Sequence, residues 1–503
     1  MIIQNLITGL INVLMPVNLL AVIAGTTIGI FVGAMPGLSA TMAIAILLPI
    51  TFGMNPATGL SMLAALYMGA MYGGSIAAIL IRTPGTPAAA ATVMDGYPMA
   101  QKGQAGKALG VSLTASFIGG VISSLALLTI APFLGKIALE FGPVELFAVA
   151  VLGITIIGSL SQESTVKGLL SGAVGLLLAM VGMDPITGTP RFTFGNIYLF
   201  SGISFTVALI GLFSIPQAIR LIEKDEEAVK AINSITDKML PSLKEIKTLS
   251  TTILRSGIIG IFTGIIPGTG GDTACWFAYN EAKRFSKDKD KFGTGIPEGV
   301  AAAEAANNAV VGGALIPTIT LGIPGSSATA ILMGGLMIHG IMPGPTLMTE
   351  YADVTYTLIW AVMLSNFAMF LIGLIFTRAA ITVTRVSNKI LAPIIVILCV
   401  IGSFAINNSV FDVYMMFAFG ILGYFMDKLH IPTAPMVVGL ILGQMLDVSL
   451  HQSLLISFGS WSIFLKTPIS AVLLIIAAFS IFQSTPLFEK MLNSFKKSRT
   501  TNG

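Results

Sequence analysis

Four short interruptions in the apolar sequence each place Ser or Thr hydroxyls beside a Pro-Gly pair. Pro lacks a backbone donor and Gly tolerates positive φ, so a helix can break at each pair. A broken helix exposes backbone N–H groups, which together with hydroxyls can hold a carboxylate or ligate a cation. The interruptions are Pro36-Gly37-Leu38-Ser39-Ala40-Thr41, Thr83-Pro84-Gly85-Thr86, Pro267-Gly268-Thr269-Gly270-Gly271-Asp272-Thr273 and Pro324-Gly325-Ser326-Ser327-Ala328-Thr329.

The hydroxyls at these interruptions are candidate substrate-binding groups. For any single hydroxyl, capping of the helix that resumes after the break is the alternative role. Because all four interruptions carry hydroxyls, a shared binding site is favoured over four independent caps. The candidates are Ser39, Thr41, Thr83, Thr86, Thr269, Ser326, Ser327 and Thr329.

A lone arginine precedes the second interruption. Arg82 ends an apolar run directly before Thr83. A guanidinium group can hold a carboxylate through two parallel hydrogen bonds, which makes Arg82 a further substrate-binding candidate. Alternatively, its long side chain extends to the membrane surface or pairs with an acid.

Carboxyl and amide groups near the breaks are candidates for ion coupling. Glu304, Asn307 and Asn308 lie at i, i+3 and i+4, and therefore share one face of an otherwise apolar helix. Such a face either ligates a cation or substrate, or forms hydrogen bonds between helices. Asp272, with Thr273 beside it, is either a cation ligand or proton carrier, or the N-cap of the following helix. No metal other than Na⁺ is implied.

The composition defines the class of protein. Hydrophobic residues make up 54% of the 503-residue chain and charged residues only 10%, whereas soluble domains carry about 25% charged residues. Apolar runs of bilayer-spanning length recur along the chain, and they are too long and too continuous for barrel strands. The sequence therefore predicts an all-α integral membrane protein, a polytopic helix bundle embedded in a lipid bilayer. A net charge of +4 gives no support for nucleic-acid binding.

Charged stretches indicate the topology. A polar linker over 220–255 and a basic tail are expected in the cytoplasm because cationic loops tend to stay there. A further basic cluster over 283–291 follows after only a short apolar stretch. A re-entrant hairpin with its tip at 267–271 would keep all these charges on one side. A single tilted helix with a Gly-rich kink is the alternative.

The two halves of the chain resemble each other. Residues 29–37 read GIFVGAMPG and residues 260–268 read GIFTGIIPG, identical at six of nine positions. Two more matches follow in the same order, Gly73-Gly74 to Thr86 against Gly312-Gly313 to Ser326, and Gly158-Ser159 against Gly402-Ser403. The sequence thus predicts a first membrane repeat over 1–245 and a second over 246–503. Repeats with interrupted helices, often inverted, are typical of secondary transporters, and a passive anion channel with a duplicated fold is the alternative.

Taken together, these motifs resemble the large permease subunit of the tripartite tricarboxylate transporters. The likeness is carried by the four Pro-Gly interruptions, by Tyr72-Gly73-Gly74-Ser75, and by Asp95-Gly96-Tyr97-Pro98 with Gly103 and Gly106, and it extends over about 15–480. The resemblance implies uptake of a carboxylate, driven by a Na⁺ or H⁺ gradient, into a bacterial cell across the inner membrane. It also implies two partners, a small membrane subunit and an extracytoplasmic solute-binding protein.

Enzymatic motifs are absent from the sequence. It contains no His-Glu-x-x-His, no Gly-x-Ser-x-Gly and no Gly-x-x-x-x-Gly-Lys-Ser/Thr. Two cysteines and three scattered histidines make no metal-binding pattern. We therefore expect a transporter rather than an enzyme, with no cofactor other than a coupling ion.

Overall fold

The computed structural model describes residues 2–35, 37–159, 164–184, 186–223, 237–383 and 388–483, and these are overwhelmingly α-helical. The helices of the first half are α1 (Ile2–Leu14), α2 (Pro16–Gly33), α3 (Ala40–Thr51), α4 (Pro56–Ile81), α5 (Ala90–Gln101), α6 (Ala105–Ala138), α7 (Pro143–Ser159), α8 (Thr165–Ala179) and α9 (Phe205–Glu223). A two-stranded antiparallel hairpin, β1 (Gly182–Met183) and β2 (Pro190–Arg191), lies between α8 and α9.

The described residues of the second half form helices joined by loops, with no strand among them. Its helices are α10 (Leu243–Ile265), α11 (Gly270–Phe285), α12 (Pro297–Leu321), α13 (Ser327–Ile338), α14 (Ala352–Val383), α15 (Asn388–Asn407), α16 (Val410–Lys428), α17 (Thr433–Ile456), α18 (Ile463–Lys466) and α19 (Pro468–Gln483). Single 3-10 turns occupy Pro87–Ala89, Ile197–Leu199, Lys289–Lys291 and Pro345–Met348.

Within the described residues, ten helices are long and apolar enough to cross a bilayer. Because backbone groups in lipid must be satisfied inside their own segment, these helices make the chain a multi-pass membrane protein. The predicted all-α polytopic class is therefore confirmed. The polar linker predicted over 220–255 is shorter than expected, since α9 continues to Glu223 and α10 begins at Leu243. Residues 224–236 of that linker and the basic tail lie outside the described residues.

The early start of α10 has a local cause. Ser242 accepts a hydrogen bond from the backbone N–H of Glu245, and the Glu245 carboxylate accepts one from the backbone N–H of Ser242. This reciprocal capping box satisfies two otherwise unpaired donors of the first helical turn. It extends α10 by about four turns beyond the apolar segment that hydropathy alone indicates.

Two compact units can be distinguished by their internal contacts. The larger comprises Met1–Leu139 and Thr206–Tyr424, and the smaller comprises Glu140–Phe205 and Phe425–Gly503. All four Pro-Gly interruptions belong to the larger unit. The units do not coincide with the halves predicted from the repeat, since each unit takes residues from both halves.

In the larger unit, α2 and α4 run parallel with their backbones in close contact. A Cβ placed on Gly29 would lie 2.3 Å from the Leu66 carbonyl oxygen, and one on Gly33 would lie 2.3 Å from the Ala70 oxygen. Beyond the end of α4, a Cβ on Gly85 would lie 1.9 Å from the Gly33 oxygen. Only glycine fits these positions, so the second interruption is packed directly against the end of α2.

Helices α10 and α12 pack in the same way. A Cβ placed on Gly260 would lie 2.5 Å from the Ala306 oxygen, and one on Gly264 would lie 2.7 Å from the Val310 oxygen. A Cβ on Gly325, which follows α12, would lie 2.5 Å from the Gly264 oxygen. The fourth interruption therefore rests against the end of α10 as the second rests against α2.

Helices α10 and α11 form a hairpin. At its open end, the Arg255 guanidinium carbon lies 4.3 Å from the centre of the Phe285 ring. At its closed end, the backbone N–H of Gly268 donates to the carbonyl oxygen of Gly325 at 3.1 Å. The tip thus lies at 266–269, beside the fourth interruption, and both arms return to the same end of the bundle.

A buried carboxylate joins α5 to the loop that precedes α12. One oxygen of Asp95 accepts backbone hydrogen bonds from Gly293, Gly295 and Ile296 at 2.8–3.0 Å, and the other accepts the Tyr279 hydroxyl at 2.8 Å. Asp95 itself is 0% exposed. It therefore ties the α11–α12 loop to α5.

In the smaller unit, α8 and α17 pack through glycines, and an ion pair fixes the β-hairpin. A Cβ on Gly175 would lie 2.0 Å from the Met436 oxygen, and one on Gly439 would lie 2.3 Å from the Gly172 oxygen. Arg191 donates to the Asp447 carboxylate at 2.6 Å. The hairpin after α8 is thereby anchored to α17.

We expect Gly85→Ala to destabilise the fold, because the added methyl group would overlap the Gly33 carbonyl. Overpacking of this kind costs about 1–3 kcal/mol. Gly53→Ala is the matched control, since nothing lies within 4 Å of a Cβ at that position. Thermal melting of both purified variants in detergent measures the difference. Equal melting temperatures would contradict the close packing of the second interruption on α2.

We expect Asp95→Asn to lower stability by about 1–3 kcal/mol, because a neutral amide oxygen accepts the three backbone N–H groups less strongly than a carboxylate does, and the amide nitrogen cannot accept the Tyr279 hydroxyl. Asp353→Asn, at an exposed position in the first turn of α14, is the control. Limited proteolysis of the α11–α12 loop together with thermal melting reports the effect. If the loop of Asp95→Asn resists protease as well as the parent does, Asp95 is not what holds it.

Candidate functional site

The four interruptions line one cavity of about 220 Å³. Each interruption, with the residues that directly follow it, contributes three consecutive residues to the wall, and α4 and α9 supply the remainder. The wall consists of Ser39, Ala40, Thr41, Thr86, Pro87, Ala88, Gly270, Gly271, Asp272, Ser326, Ser327 and Ala328, with Tyr67, Met71 and Phe213. Segments far apart in the chain thus meet at a single site.

Three of these segments are the first turns of helices. Helix α3 begins after Ser39, α11 after Thr269 and α13 after Ser326. The first N–H groups of a helix have no intrahelical partner, and the helix dipole places partial positive charge there. Three helix N-termini at one cavity make a surface that favours an anion, and no Lys or Arg belongs to the described wall.

Serine hydroxyls cap two of these helices. Ser39 Oγ accepts from the Met42 N–H at 3.1 Å, and Ser326 Oγ accepts from the Thr329 N–H at 3.2 Å. Thr329 completes a capping box, since its Oγ1 accepts from the Ser326 N–H at 2.9 Å. Capping, which the sequence left open as the alternative role, is thus observed at Ser39 and Ser326. Both serines also face the cavity, so capping and ligand binding are compatible there.

Tyr67 is a cavity residue that the sequence did not reveal. Its hydroxyl lies 3.1 Å from Ser326 Oγ, although the ring is buried within α4. A tyrosine in an apolar helix is ordinarily a packing residue, and no local pattern distinguishes this one. The spatial meeting of α4 with the start of α13 gives Tyr67 its place in the site.

Thr86 also faces the cavity, and its hydroxyl has no hydrogen-bond partner among the described residues. It precedes the 3-10 turn Pro87–Ala89 but does not cap it. A buried hydroxyl without a partner is energetically unfavourable unless a ligand or water completes it. Thr86 is therefore the hydroxyl of the second interruption most available to a ligand.

Asp272 is the one charged residue in the described cavity wall. It lies in the first turn of α11, where its carboxylate is favourable to the helix dipole. Thr273 follows it and is not part of the wall. Thr269 donates its hydroxyl to the Ile266 carbonyl at 2.9 Å and thereby stabilises the turn before α11.

Arg82 and Thr83 lie outside the cavity wall. Arg82 ends α4 in the left-handed conformation, with φ of 58°, and its guanidinium lies 5.9 Å from the Tyr97 ring centre. Thr83 Oγ1 is 3.4 Å from the Ile81 carbonyl oxygen. Neither residue contributes to the cavity in this conformation of the protein, and their predicted binding roles stay predictions.

The polar face of α12 is completely buried. Glu304, Asn307 and Asn308 are each 0% exposed. Asn307 Nδ2 donates to the Met71 carbonyl at 2.9 Å, whereas Glu304 accepts the hydroxyls of Thr92 and, at 3.2 Å, Ser116. Hydrogen bonds between helices, one of the two roles foreseen for this face, are therefore present.

The amide oxygens of this face remain available to a ligand. Oδ1 of Asn307 and Oδ1 of Asn308 are buried and have no partner among the described residues. Asn307 Oδ1 lies directly behind the cavity wall, 3.2 Å from the position that a Cβ on Gly271 would take. A buried amide oxygen adjoining the cavity is a suitable ligand for a hard cation.

The comparisons with known proteins agree with this architecture. The model of the Tripartite tricarboxylate transporter TctA family matches residues 19–438. An uncharacterized 52.8 kDa protein in the TAR-I ttuC' 3' region of Agrobacterium vitis is 37% identical over 472 residues, covering 94% of each chain. An uncharacterized protein in the TAR-II ttuC' 3' region of the same organism is 35% identical over 215 residues, covering 43% of this chain and 89% of the relative. Because the family model spans most of its length, this chain belongs to the tripartite tricarboxylate transporter TctA family, a family of transporter membrane proteins and not of enzymes.

Proposed function

We propose that this protein is the membrane permease of a binding-protein-dependent tripartite transporter and takes up a di- or tricarboxylate, driven by an ion gradient. The observation that carries the proposal is the meeting of all four Pro-Gly interruptions at one cavity. Helix N-termini and hydroxyls bind carboxylates through N–H and O–H donors. A site of this kind can release its anion again, because its described wall contains no Lys or Arg.

The depth of the cavity supports transport across the membrane. Arg255 marks the polar end of the α10–α11 hairpin, and the interruption begins at Ile266. Eleven helical residues rise about 16 Å, roughly half of the hydrocarbon thickness of about 30 Å. With Arg255 at the membrane surface, the hairpin tip and its neighbour at Gly325 lie near the midplane, where secondary transporters bind their substrates.

We further propose that the two halves are inverted repeats. The packing of Gly33 against Gly85 in the first half has its counterpart in Gly264 against Gly325 in the second. Helices α4 and α12 are antiparallel, since Tyr67 contacts Ser326 beyond the end of α12, whereas Asp95, beyond the end of α4, binds the loop before α12. Equivalent helices that run in opposite directions support an inverted arrangement.

We propose that the coupling ion, Na⁺ or H⁺, binds between the cavity and α12. Asp272 can bind either ion at the cavity, and Asn307 and Asn308 offer amide oxygens suited to Na⁺. Glu304 is a second carboxylate that could carry a proton, held by two hydroxyls. Thr273 remains an ion-coupling candidate beside Asp272.

Family membership supports the remaining parts of the proposal. Transporters of this family are tripartite, which supports a small membrane subunit and an extracytoplasmic solute-binding protein as partners. A bacterial cytoplasmic membrane is the location that such a binding protein requires, because it must meet the permease on the outer face.

We expect the double variant Ser39→Ala/Ser326→Ala to raise the KM for carboxylate uptake about 100-fold or more, because the two lost hydrogen bonds to a charged group contribute about 1.5–3 kcal/mol each. The measurement is uptake into proteoliposomes containing the permease and its partner subunits, with mono-, di- and tricarboxylates offered under separate Na⁺ and H⁺ gradients. Ser250→Ala on α10, outside the cavity, is the control.

An unchanged KM for every carboxylate would remove these serines from the site. Uptake that continues undiminished after both gradients are collapsed would identify a passive anion channel instead. Thermal melting of each variant separates a binding defect from the loss of helix capping, which costs about 1 kcal/mol per cap.

We expect Asp272→Asn to abolish gradient-driven accumulation while substrate exchange across the membrane persists, because the amide cannot carry a proton and binds cations weakly. Asp290→Asn, an exposed position in the α11–α12 loop, is the control. Accumulation and counterflow are measured in the same proteoliposomes. Full accumulation by Asp272→Asn would exclude this carboxylate from ion coupling.

A further inference from the structure

A second cavity, of about 550 Å³, lies at the open end of the α10–α11 hairpin. Its walls come from the first turns of α6, α10 and α12 and from the end of α11. The basic residues of the α11–α12 loop lie at the same end of the hairpin. Because basic loops tend to remain in the cytoplasm, this end is expected at the inner face of the membrane. It is separate from the carboxylate cavity, because the hairpin tip that lines the latter is at the opposite end of α10.

The acids around this second cavity are already paired. Glu298 accepts the Thr252 hydroxyl at 2.8 Å and the Ser286 hydroxyl at 2.6 Å. Glu245 binds Lys107 at 2.6 Å, and Asp288 binds Lys291 at 2.8 Å. These contacts neutralise or satisfy each carboxylate in the wall.

Two basic residues of the wall, Arg255 and Lys287, form no ion pair within the described part of the chain. The Arg255 guanidinium lies over the Phe285 ring, with its carbon 4.3 Å from the ring centre. Stacking on the face of the ring leaves the N–H donors at the guanidinium edge available for a planar or tetrahedral oxyanion. The cavity wall therefore has positive charge that its own acids do not neutralise.

An exposed apolar stripe runs along α10 and begins at Leu254, next to Arg255 of the cavity wall. Leu254, Ile258 and Phe262 follow at four-residue spacing and are 51%, 51% and 66% exposed. In a membrane protein such a face contacts acyl chains. Positive charge at the membrane surface with an apolar track beneath it matches a phospholipid, with a phosphate at one end and acyl chains at the other.

We propose that this second cavity binds the phosphate of an anionic phospholipid between Arg255 and Lys287, with its acyl chains along Leu254, Ile258 and Phe262. The bound lipid bridges α10 and the end of α11 and so stabilises the open end of the hairpin. Free inorganic phosphate shares the headgroup chemistry but lacks the chains that would use the apolar stripe.

The test uses the purified, delipidated full-length protein in detergent. Phosphatidylglycerol, phosphatidylcholine and inorganic phosphate are added separately, while melting temperature and, by native mass spectrometry, bound lipid are measured. We expect phosphatidylglycerol to bind and to raise the melting temperature, and the other two to have little effect. In Arg255→Gln/Lys287→Gln, the affinity for phosphatidylglycerol should fall about 30-fold, since each basic residue contributes about 1 kcal/mol near an anionic surface.

Lys283→Gln/Lys289→Gln removes two charges from the same region outside the cavity wall and should retain binding. Arg255→Lys keeps the positive charge but loses the planar arrangement of guanidinium N–H donors. If the double variant fails to fold, the affinity of Arg255→Lys for phosphatidylglycerol is measured instead and is expected to be intermediate. Equal stabilisation by phosphatidylcholine, equal stabilisation by inorganic phosphate, or equal affinity in the two double variants would each overturn the proposal.

Discussion

The structure depends on one constraint, that a helix can be broken inside a bilayer only where protein encloses the broken backbone. Close backbone contacts between glycines meet this constraint. The interruption at Gly85 rests on the last carbonyls of α2, and the one at Gly325 rests on those of α10. Any side chain at these contacts would push the helices apart and open the unsatisfied backbone groups to lipid. The abundance of glycine in this chain follows from that requirement.

Enclosing the breaks also determines the chemistry of the cavity. Helix starts that are held together by glycine packing direct their unpaired N–H groups to the same space, so partial positive charge accumulates without cationic side chains. Neutral hydroxyls of Ser39, Thr86, Ser326 and Tyr67 add donors at little desolvation cost. Dipoles and hydroxyls hold an anion less firmly than a buried Arg would, which suits the reversible binding proposed above. Asp272 adds a single negative charge to the cavity wall, which suits the proposed binding of a coupling cation there.

Carboxylates outside the cavity connect segments of the chain. Asp95 fastens the loop before α12 to α5, Glu298 joins α10 to the end of α11, and Glu304 is held by hydroxyls of two neighbouring segments. Each of these acids is satisfied by hydroxyl or backbone donors rather than by Lys or Arg. A buried acid without such donors would be strongly destabilising. The interruptions are therefore held in place by a polar framework at one end of the helices and by glycine contacts at the other.

The sequence by itself determined the membrane class, the positions of the four breaks and the turn of the α10–α11 hairpin, because hydropathy and Pro-Gly pairs act locally. Six of the fifteen residues in the cavity wall were candidates from the sequence, namely Ser39, Thr41, Thr86, Asp272, Ser326 and Ser327. Only the tertiary structure decided that Tyr67 and Phe213 belong there and that Arg82 does not, because these outcomes depend on which helices meet. The role of Asp95 also depends on long-range packing, since the backbone donors that it binds lie about two hundred residues away in the chain. Local patterns specify where a helix can break, whereas long-range packing specifies what surrounds the break.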